Sequence, residues 1–323
     1  MLTNTRSLTL AARSVDCGMG ETVRGADPTR LMETPVPQIG IMQGRLGPPE
    51  DGRFQSFPRL SWREEFSRAA ASGLNCIEWI YDHYGEEVNP LATDSGVAEM
   101  LQASASSGVS VRTCCADWFM EAPLVRATGN ELAQRLERLR WLLGRCRQAG
   151  IGQVTLPFVD ASRIESDAEA RAVAAAIRLV LPAAEETGVE IHLETALPPV
   201  EFAALLAELQ HPLVRVNYDS GNSSSLGYDV SAEFAAYGSR VGSAHVKDRL
   251  KGGGTVPLGA GDADLPAFFE CLQSINYHRP LVMQVARGVA GDEVQWARHN
   301  RQYIADLWVA VRAATSSGRK EPA

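Results

Sequence analysis

Short apolar runs alternate with longer amphipathic stretches from residue 38 onwards. Several of the amphipathic stretches have helical spacing and end in Gly, as residues 62–73 and 131–150 do. Near-continuous apolar strands separated by helices predict a parallel sheet that is covered on both faces. The strand candidates number eight and read QIGIMQG, CIEWIYD, VSVRTCCA, QVTLPFV, EIHLETA, VRVNYDS, VGSAHVK and PLVMQVA.

Eight strand-helix units favour an α/β fold of the (β/α)8 TIM-barrel type over a Rossmann sheet, because no GxGxxG follows the first strand and no GxxxxGK[ST] occurs. A length of 323 residues suits one such barrel. We predict a single catalytic barrel domain over residues 38–315. Residues 1–37 lack periodicity and are predicted to be a flexible N-terminal extension, and residues 316–323 a flexible C-terminal tail.

Composition and charge exclude several classes of partner. The chain has 31 basic and 39 acidic residues, a net charge of −8, and no basic block that would follow a phosphate backbone, so nucleic acid is not an expected partner. No apolar run approaches the roughly 18 residues of a membrane span, so no membrane association is expected. The six cysteines show no CxxC spacing, which favours a reducing, cytoplasmic setting. No feature of the sequence marks a subunit interface, and whether the protein forms a homodimer stays an open question.

Each of the last four strand candidates ends in a side chain of a metal-binding type: Glu194, Asp219, His245 and Gln284. A barrel brings the carboxyl ends of its strands together, so these residues predict a single divalent metal site. A satisfied polar layer in the barrel interior is the alternative for the first three. Gln284 is either the fourth ligand or a hydrogen-bonding neighbour, and it cannot act as a base.

Further motifs accompany these residues: HVKD at strand seven, the following VPLGAGDADL, and the opening IGIMQGRLGPP with FQSFP. With Glu194, Asp219 and His245, they resemble the sugar-phosphate isomerase/epimerase group of the xylose-isomerase-like TIM barrels. The resemblance implies a metal-dependent enzyme acting on a small carbohydrate. In that group a Glu commonly supplies the fourth ligand and serves as an acid/base, where this chain has Gln284. A His often follows the strand-six Asp by three residues, where this chain has Asn222.

The predicted reaction passes through an enediolate whose oxygens one divalent cation stabilises. Oxygen-rich ligation with one imidazole suits Mn²⁺ or Mg²⁺ first, with Zn²⁺ or Co²⁺ as alternatives. Glu194 is predicted to be both base and metal ligand. Because Gln284 supplies no second base, an isomerase of a sugar or sugar phosphate is favoured over an epimerase, unless Glu78, Asp160 or Lys247 serves the opposite face of the substrate.

In addition to Glu194, the predicted catalytic residues are Glu78 and Lys247. The alternative for Glu78 is that it is only a salt-bridge partner. The predicted substrate-binding residues are Gln43, Arg45, His83, Asn222, Arg249 and Arg287. Arg45 and Arg287 either bind a substrate phosphate or pair with acidic residues at the barrel mouth. His83 either covers the substrate or is an ordinary exposed histidine.

Two other functions remain open. A lyase that dehydrates a polyol or keto-acid would use the same metal and base, and a non-catalytic sugar-binding relic would explain the missing fourth carboxylate. A DNA-repair endonuclease of this fold needs many histidines, and the chain has only six.

Overall fold

The computed structural model describes residues 35–318. Residues 1–34 of the predicted N-terminal extension and residues 319–323 of the predicted tail lie outside the described residues. The first strand begins at Ile39, and the last helix ends at Gly318, past the predicted domain end at residue 315.

Eight parallel strands close into one barrel. They are β1 (Ile39–Met42), β2 (Cys76–Ile80), β3 (Ser110–Cys115), β4 (Gln153–Phe158), β5 (Glu190–Thr195), β6 (Val214–Asp219), β7 (Val241–Val246) and, after a hairpin of β8 (Asp248–Arg249) and β9 (Thr255–Val256), β10 (Leu281–Met283). β1 closes the ring, because Ile41 pairs with Ile77 of β2 and with Met283 of β10. The predicted single (β/α)8 barrel is confirmed, and the β8–β9 hairpin was not predicted.

Helices surround the barrel and connect its strands. They are α1 (Trp62–Ala71), α2 (Asp94–Ser107), α3 (Trp118–Glu121), α4 (Gly129–Gln148), α5 (Asp167–Arg178), α6 (Leu181–Thr187), α7 (Pro199–Glu208), α8 (Ser220–Leu226), α9 (Val230–Tyr237), α10 (Leu265–Ser274) and α11 (Glu293–Gly318). The amphipathic stretch 168–188 forms two helices instead of one. Pro182 lacks an N–H and its ring clashes with a carbonyl one turn earlier, so α5 ends at Arg178. Within residues 35–318, no helix combines the length and the apolar character that crossing a bilayer requires.

The strands are apolar along their whole length because both of their faces are buried. Every residue of β2, β4 and β7 is buried. On the outer face of β2, the ring of Trp79 lies 5.5 Å from that of Phe57 and 5.8 Å from that of Trp62, which opens α1. Burying such rings removes large apolar areas from water and fixes the strand ends that carry the polar residues.

Glu65 is a fully buried carboxyl group on the same helix. One of its oxygens accepts the backbone N–H of Gly44 at 2.8 Å, where the chain turns after β1. Gly44 has a φ of +77°, which disfavours any other residue at this turn. Burial raises the pKa of Glu65 to about 8, against backbone hydrogen bonds that lower it. The group is therefore protonated at neutral pH.

Replacing Glu65 with glutamine is expected to flatten the pH dependence of stability. Between the unfolded pKa near 4.5 and the folded value of about 8, the folded chain binds the extra proton, so the wild-type free energy of unfolding falls as pH rises. Between pH 5 and pH 9, the free energy of unfolding of the wild type should fall by about 4 kcal/mol for this reason, and that of Glu65→Gln should not. Urea unfolding at pH 5 and pH 9 measures it, and Glu64→Gln, at the exposed neighbouring position, is the control. Equal pH slopes for wild type and Glu65→Gln would contradict the assignment.

Candidate active site

Three potential metal ligands lie at the carboxyl ends of three neighbouring strands. Glu194 lies near the end of β5, Asp219 ends β6, and His245 lies near the end of β7. Because β6 pairs with both β5 and β7, these strand ends are adjacent. The Nδ1 atom of His245 is 3.5 Å from Glu194 Oε2 and 3.8 Å from Asp219 Oδ2. All three side chains are buried.

The donor atoms of these residues are spaced to fit one divalent cation. One donor atom from each residue lies within 4.8 Å of the other two. Ligand atoms about 2.1 Å from a metal are roughly 3 to 4 Å from one another, which matches the His245 distances. Asp219 Oδ2 is buried and has no hydrogen-bond partner among the described residues, which leaves it available to a cation. The residues present therefore fit a metal ion.

Acidic groups surround the imidazole of His245. Burial lowers the pKa of His245, but the neighbouring carboxylates of Glu78, Asp219 and Glu194 outweigh burial and raise that pKa well above its usual value. Burial raises the pKa of Asp219, yet Lys247 and His245 bring it down to about 2. Asp219 is thus ionised, the form that binds a cation, and a cation bound to the Nδ1 atom of His245 would displace any proton held there.

Glu78 lies behind His245 and does not line the cavity described below. Its Oε2 atom on β2 is 2.7 Å from the Nε2 atom of His245, and both side chains are fully buried. A carboxylate on the far nitrogen fixes the tautomer and the ring orientation of a histidine ligand. Glu78, predicted as a catalytic residue, therefore lies where it can orient His245, a potential metal ligand. This position also agrees with its alternative role as an ion-pair partner.

Removing Glu78 is expected to weaken metal binding. Glu78→Ala removes the carboxylate that lies 2.7 Å from the Nε2 atom of His245, so the dissociation constant for Mn²⁺ should rise about 10- to 100-fold. Glu78→Gln keeps an acceptor without the charge and should fall between wild type and Glu78→Ala. Isothermal titration calorimetry measures both variants. An unchanged constant in a normally folded Glu78→Ala protein would show that Glu78 has no such role.

Lys247 brings a positive charge into the site. Its Nζ atom donates to Gln284 Oε1 at 2.9 Å and to Asn222 Oδ1 at 3.2 Å, and it lies 3.5 Å from Asp219 Oδ2. The amide nitrogen of Gln284 donates instead to Gln55 Oε1 at 3.0 Å. Gln284 therefore turns its oxygen toward Lys247, and the second lone pair of that oxygen remains available.

Two asparagine side chains hold the carboxylate of Glu194. Asn217 Nδ2 donates to Glu194 Oε2 at 2.7 Å, and Asn222 Nδ2 donates to Glu194 Oε1 at 2.5 Å. Asn222 lies in the first turn of α8, whose N-cap is Asp219, and the Oδ1 atom of Asp219 accepts the Asn222 N–H at 2.8 Å. Asn222 thus contacts Glu194, Asp219 and Lys247.

A cavity of about 360 Å³ opens at the carboxyl ends of the strands. Of the predicted site residues, Glu194, Gln284, Lys247, Asn222 and Arg249 line it. The other lining residues are Arg53, Phe54, Gln55, Asp82, Cys115, Asp117, Met120, Glu121, Pro157, Val159, Asp160 and Thr255. Asp219 and His245 lie beside the cavity, in contact with residues that line it. The space accommodates a small carbohydrate.

Arg45 and Arg287 do not line the cavity. Both donate to the carbonyl oxygen of Phe54, and Arg45 also donates to that of Val285 and Arg287 to that of Gly47. Burial and the neighbouring Arg287 lower the pKa of Arg45 to about 9. Both side chains bind backbone carbonyls and hold the loop after β1, and their predicted role in substrate binding stays a prediction.

Gln43 and His83 also lie outside the cavity lining. The Gln43 side chain is buried, and its Oε1 atom accepts the backbone N–H of Ile80 at 3.0 Å, which ties β1 to β2. The His83 ring stacks on Trp118 at 4.4 Å and is partly exposed. Gln43 thus joins neighbouring strands and His83 packs on Trp118 at the surface, and the substrate-binding roles of both residues stay predictions.

The hairpin after β7 is organised by Asp248, the last residue of the HVKD motif. Its carboxylate accepts the backbone N–H groups of Gly259, Gly261 and Ala263 at 2.8 to 3.1 Å. A Cβ atom at Gly261 would lie 2.2 Å from Asp248 Oδ1, so only glycine fits there. The hairpin places Arg249 at the cavity, where its Nη1 atom donates to Asn222 Oδ1 at 3.0 Å.

The sequence motifs did not single out two residues of the cavity wall. Asp117 accepts a hydrogen bond from Gln55 Nε2 at 2.7 Å, and Gln55 in turn accepts one from Gln284. Asp117 lies two residues after the end of β3, so an extension of the strand-end pattern beyond the last four strands would have indicated it. Gln55 lies within the FQSFP motif, but the motif carried the family resemblance only and did not indicate that this side chain reaches the cavity.

Comparison with known sequences identifies the family. The sequence model of the xylose isomerase-like TIM barrel matches residues 66–307, well over half of the chain. The chain is a xylose isomerase-like TIM barrel. Its predicted resemblance to this group is therefore confirmed.

Relatives of this xylose isomerase-like barrel include enzymes with named reactions. The chain is 25% identical over 262 residues to L-ribulose-5-phosphate 3-epimerase UlaE of Escherichia coli O157:H7 (strain EC4115), which covers 78% of this chain and 90% of the relative.

Solved structures share the fold. An L-ribulose 3-epimerase superposes with a TM-score of 0.70 at 19% identity, covering 88% of this chain and 99% of the other. The IolI protein with a bound zinc atom superposes with a TM-score of 0.65 at 14% identity, covering 86% and 98%. At these sequence identities, the similarity shows that the proteins share the barrel fold.

Proposed function

We propose that this chain is a divalent-metal-dependent isomerase or epimerase of a sugar or sugar phosphate. The observation that carries the proposal is the buried cluster of Glu194, Asp219 and His245, one member of which lines a cavity of sugar size. The UlaE relative supports it, because its named activity moves a proton on a carbon next to a ketose carbonyl. The cytoplasmic location and the homodimer stay predictions.

Glu194, Asp219 and His245 would hold the metal ion, with the free lone pair of Gln284 Oε1 as a fourth ligand. A divalent cation there supplies positive charge that stabilises negative charge developing on the substrate oxygens. Two carboxylates, one imidazole and one amide suit Mn²⁺ or Mg²⁺, and the zinc in the IolI structure keeps Zn²⁺ open.

Glu194 is placed to remove the proton. Its Oε2 atom is the one nearer to His245, which leaves Oε1 toward Asn222 and the cavity. One oxygen can thus serve the metal while the other accepts the proton from the carbon next to the carbonyl. Lys247 and Arg249 line the same cavity, where their charges would stabilise an enediolate oxygen or a phosphate group.

Nuclear magnetic resonance in D₂O with a panel of ketoses and their phosphates tests the proposal. The Mg²⁺-loaded protein is expected to put solvent deuterium on the carbon next to the carbonyl of at least one substrate and to form its isomer or epimer. A new ultraviolet-absorbing product would indicate the lyase alternative. No exchange with any member and no bound divalent ion would indicate the sugar-binding relic.

A further inference from the structure

A carboxylate lies across the barrel from the lysine and histidine of the site. Asp117 follows β3 and lines the cavity. Around the ring of eight strands, β3 is four strands from β7 in either direction, so it stands opposite the strand of His245. Lys247 follows that same strand. Glu194 is on β5, two strands from β3, so a sugar bound against Lys247 would have Asp117 on its far side and Glu194 on the wall between them.

Hydrogen bonds connect Asp117 to the position where a fourth carboxylate is absent. Gln55 Nε2 donates to Asp117 Oδ2 at 2.7 Å, and Gln55 Oε1 accepts from Gln284 Nε2 at 3.0 Å. The Arg45 guanidinium donates to the same Gln55 oxygen, which fixes the direction of the amide. A carboxylate at position 284 would face that oxygen and repel it. Glutamine at position 284 is thus compatible with the hydrogen-bond chain that ends at the Asp117 carboxylate.

Other acidic residues near the site are less well placed. Glu78 is in contact with His245 and does not reach the cavity. Asp160 lines the cavity but is exposed at its mouth. Asp117 is partly buried, and the thiol of Cys115 donates to its Oδ1 atom at 3.1 Å. Asp82 also lines the cavity, but its two oxygens accept the backbone N–H groups of Phe57 and Gly85 at 2.8 Å, and Glu121 is exposed. Asp117 is the lining carboxylate whose direction is fixed by side chains inside the cavity.

We propose that Asp117 is the second proton-transfer group of this site and that, acting from a different wall of the cavity than Glu194, it makes the reaction an epimerisation. The assignment rests on the proposed function and goes against the single-base isomerisation that Gln284 suggested. It gives the substrate class as a ketose or ketose phosphate whose reacting carbon lies next to the carbonyl.

The proposed step conserves atoms and charge. The carboxylate of Glu194 removes the proton from the reacting carbon, and the electron pair of that bond forms the enediolate. Asp117, in its acid form, then donates its proton to the opposite face of the same carbon. Glu194 is left protonated and Asp117 ionised, and exchange with water restores both. Burial raises the pKa of Asp117 to about 6, against hydrogen bonds from Gln55 and Cys115, so this group exchanges protons near neutral pH.

Asp117→Asn separates proton removal from inversion. The full-length protein with Mg²⁺ is incubated in D₂O with pentuloses, hexuloses and their phosphates, beginning with L-ribulose 5-phosphate, and deuterium and epimer are counted separately. Wild type is expected to yield deuterated epimer. Asp117→Asn should still place deuterium on the substrate with its configuration retained, because Glu194 removes and returns the proton. Its epimer formation should fall by about 100-fold or more.

Matched variants and outcomes keep the test decisive. Asp167→Asn, at the exposed first residue of α5 and outside the cavity lining, makes the same change and should still form the epimer. Asp117→Ser serves the same purpose if the asparagine variant does not fold. Epimer formation by Asp117→Asn at the wild-type rate, or an equal loss of it in Asp167→Asn, overturns the role of Asp117. An aldose as the only wild-type product also overturns it and leaves the proposed function standing. Absence of exchange in wild type removes both proposals.

Discussion

Glu194→Gln is expected to lower the rate of solvent proton exchange by about 100- to 10,000-fold at saturating metal. Glutamine keeps an oxygen for the metal and a similar shape, but it cannot accept the substrate proton. The amide groups of Asn217 and Asn222 donate to the two oxygens of Glu194 and hold its side chain at the site in the wild type. Deuterium incorporation into substrate, followed by NMR, measures the rate.

Two measurements separate a lost base from a lost metal or a lost fold. Bound Mg²⁺ is determined for each variant, and rates are compared only where the sites are saturated. Glu201→Gln, an exposed position in the first turn of α7, makes the same chemical change away from the site and should exchange protons at the wild-type rate. A Glu194→Gln protein that retains metal and wild-type exchange would assign the base to another residue.

Asp219→Asn is expected to weaken Mn²⁺ binding by at least about 100-fold. This effect should exceed that of Glu78→Ala. The carboxylate has two separate duties. Oδ1 caps α8 by accepting the Asn222 N–H, and Oδ2 has no hydrogen-bond partner among the described residues. Asparagine can keep the cap with its oxygen while it replaces Oδ2 by an amide nitrogen that cannot bind a cation. Calorimetric titration with Mn²⁺ measures the change.

Asp229→Asn is the matched control for Asp219→Asn. Asp229 caps α9 through the N–H of Ala232 at 2.8 Å, so the same substitution tests the cost of altering an aspartate cap without touching the site. Its Mn²⁺ affinity should equal that of wild type, and both variants should melt at similar temperatures in the absence of metal. Unchanged Mn²⁺ affinity in Asp219→Asn would exclude Asp219 as a ligand.

The barrel and its metal-type cluster were predictable from the sequence because both follow from periodic, local signals. Buried parallel strands need apolar residues on both faces, and barrel closure brings the strand ends together whatever the loops do. Glu194, Asp219 and His245 could therefore be placed together before any distance was known.

Residues whose roles depend on irregular loops could not be placed in this way. Arg45 and Arg287 bind carbonyl groups of the loop after β1, and the motifs of that loop do not indicate which groups these side chains contact. The same loop carries Gln55, which connects Gln284 to Asp117. The opposite wall of the cavity thus depends on contacts between distant segments that a pattern along the chain does not encode.

The most direct test of the account is the dependence of substrate deuteration on metal and on Glu194 in a single experiment. Wild type is dialysed against a chelator, returned to Mg²⁺ or left without it, and incubated with L-ribulose 5-phosphate and the other ketoses in D₂O beside Glu194→Gln. We predict one deuterium on the carbon next to the carbonyl for the metal-loaded wild type and almost none for the other two samples. Equal deuteration in all three samples, or none in the metal-loaded wild type, would contradict a metal-dependent proton transfer by Glu194.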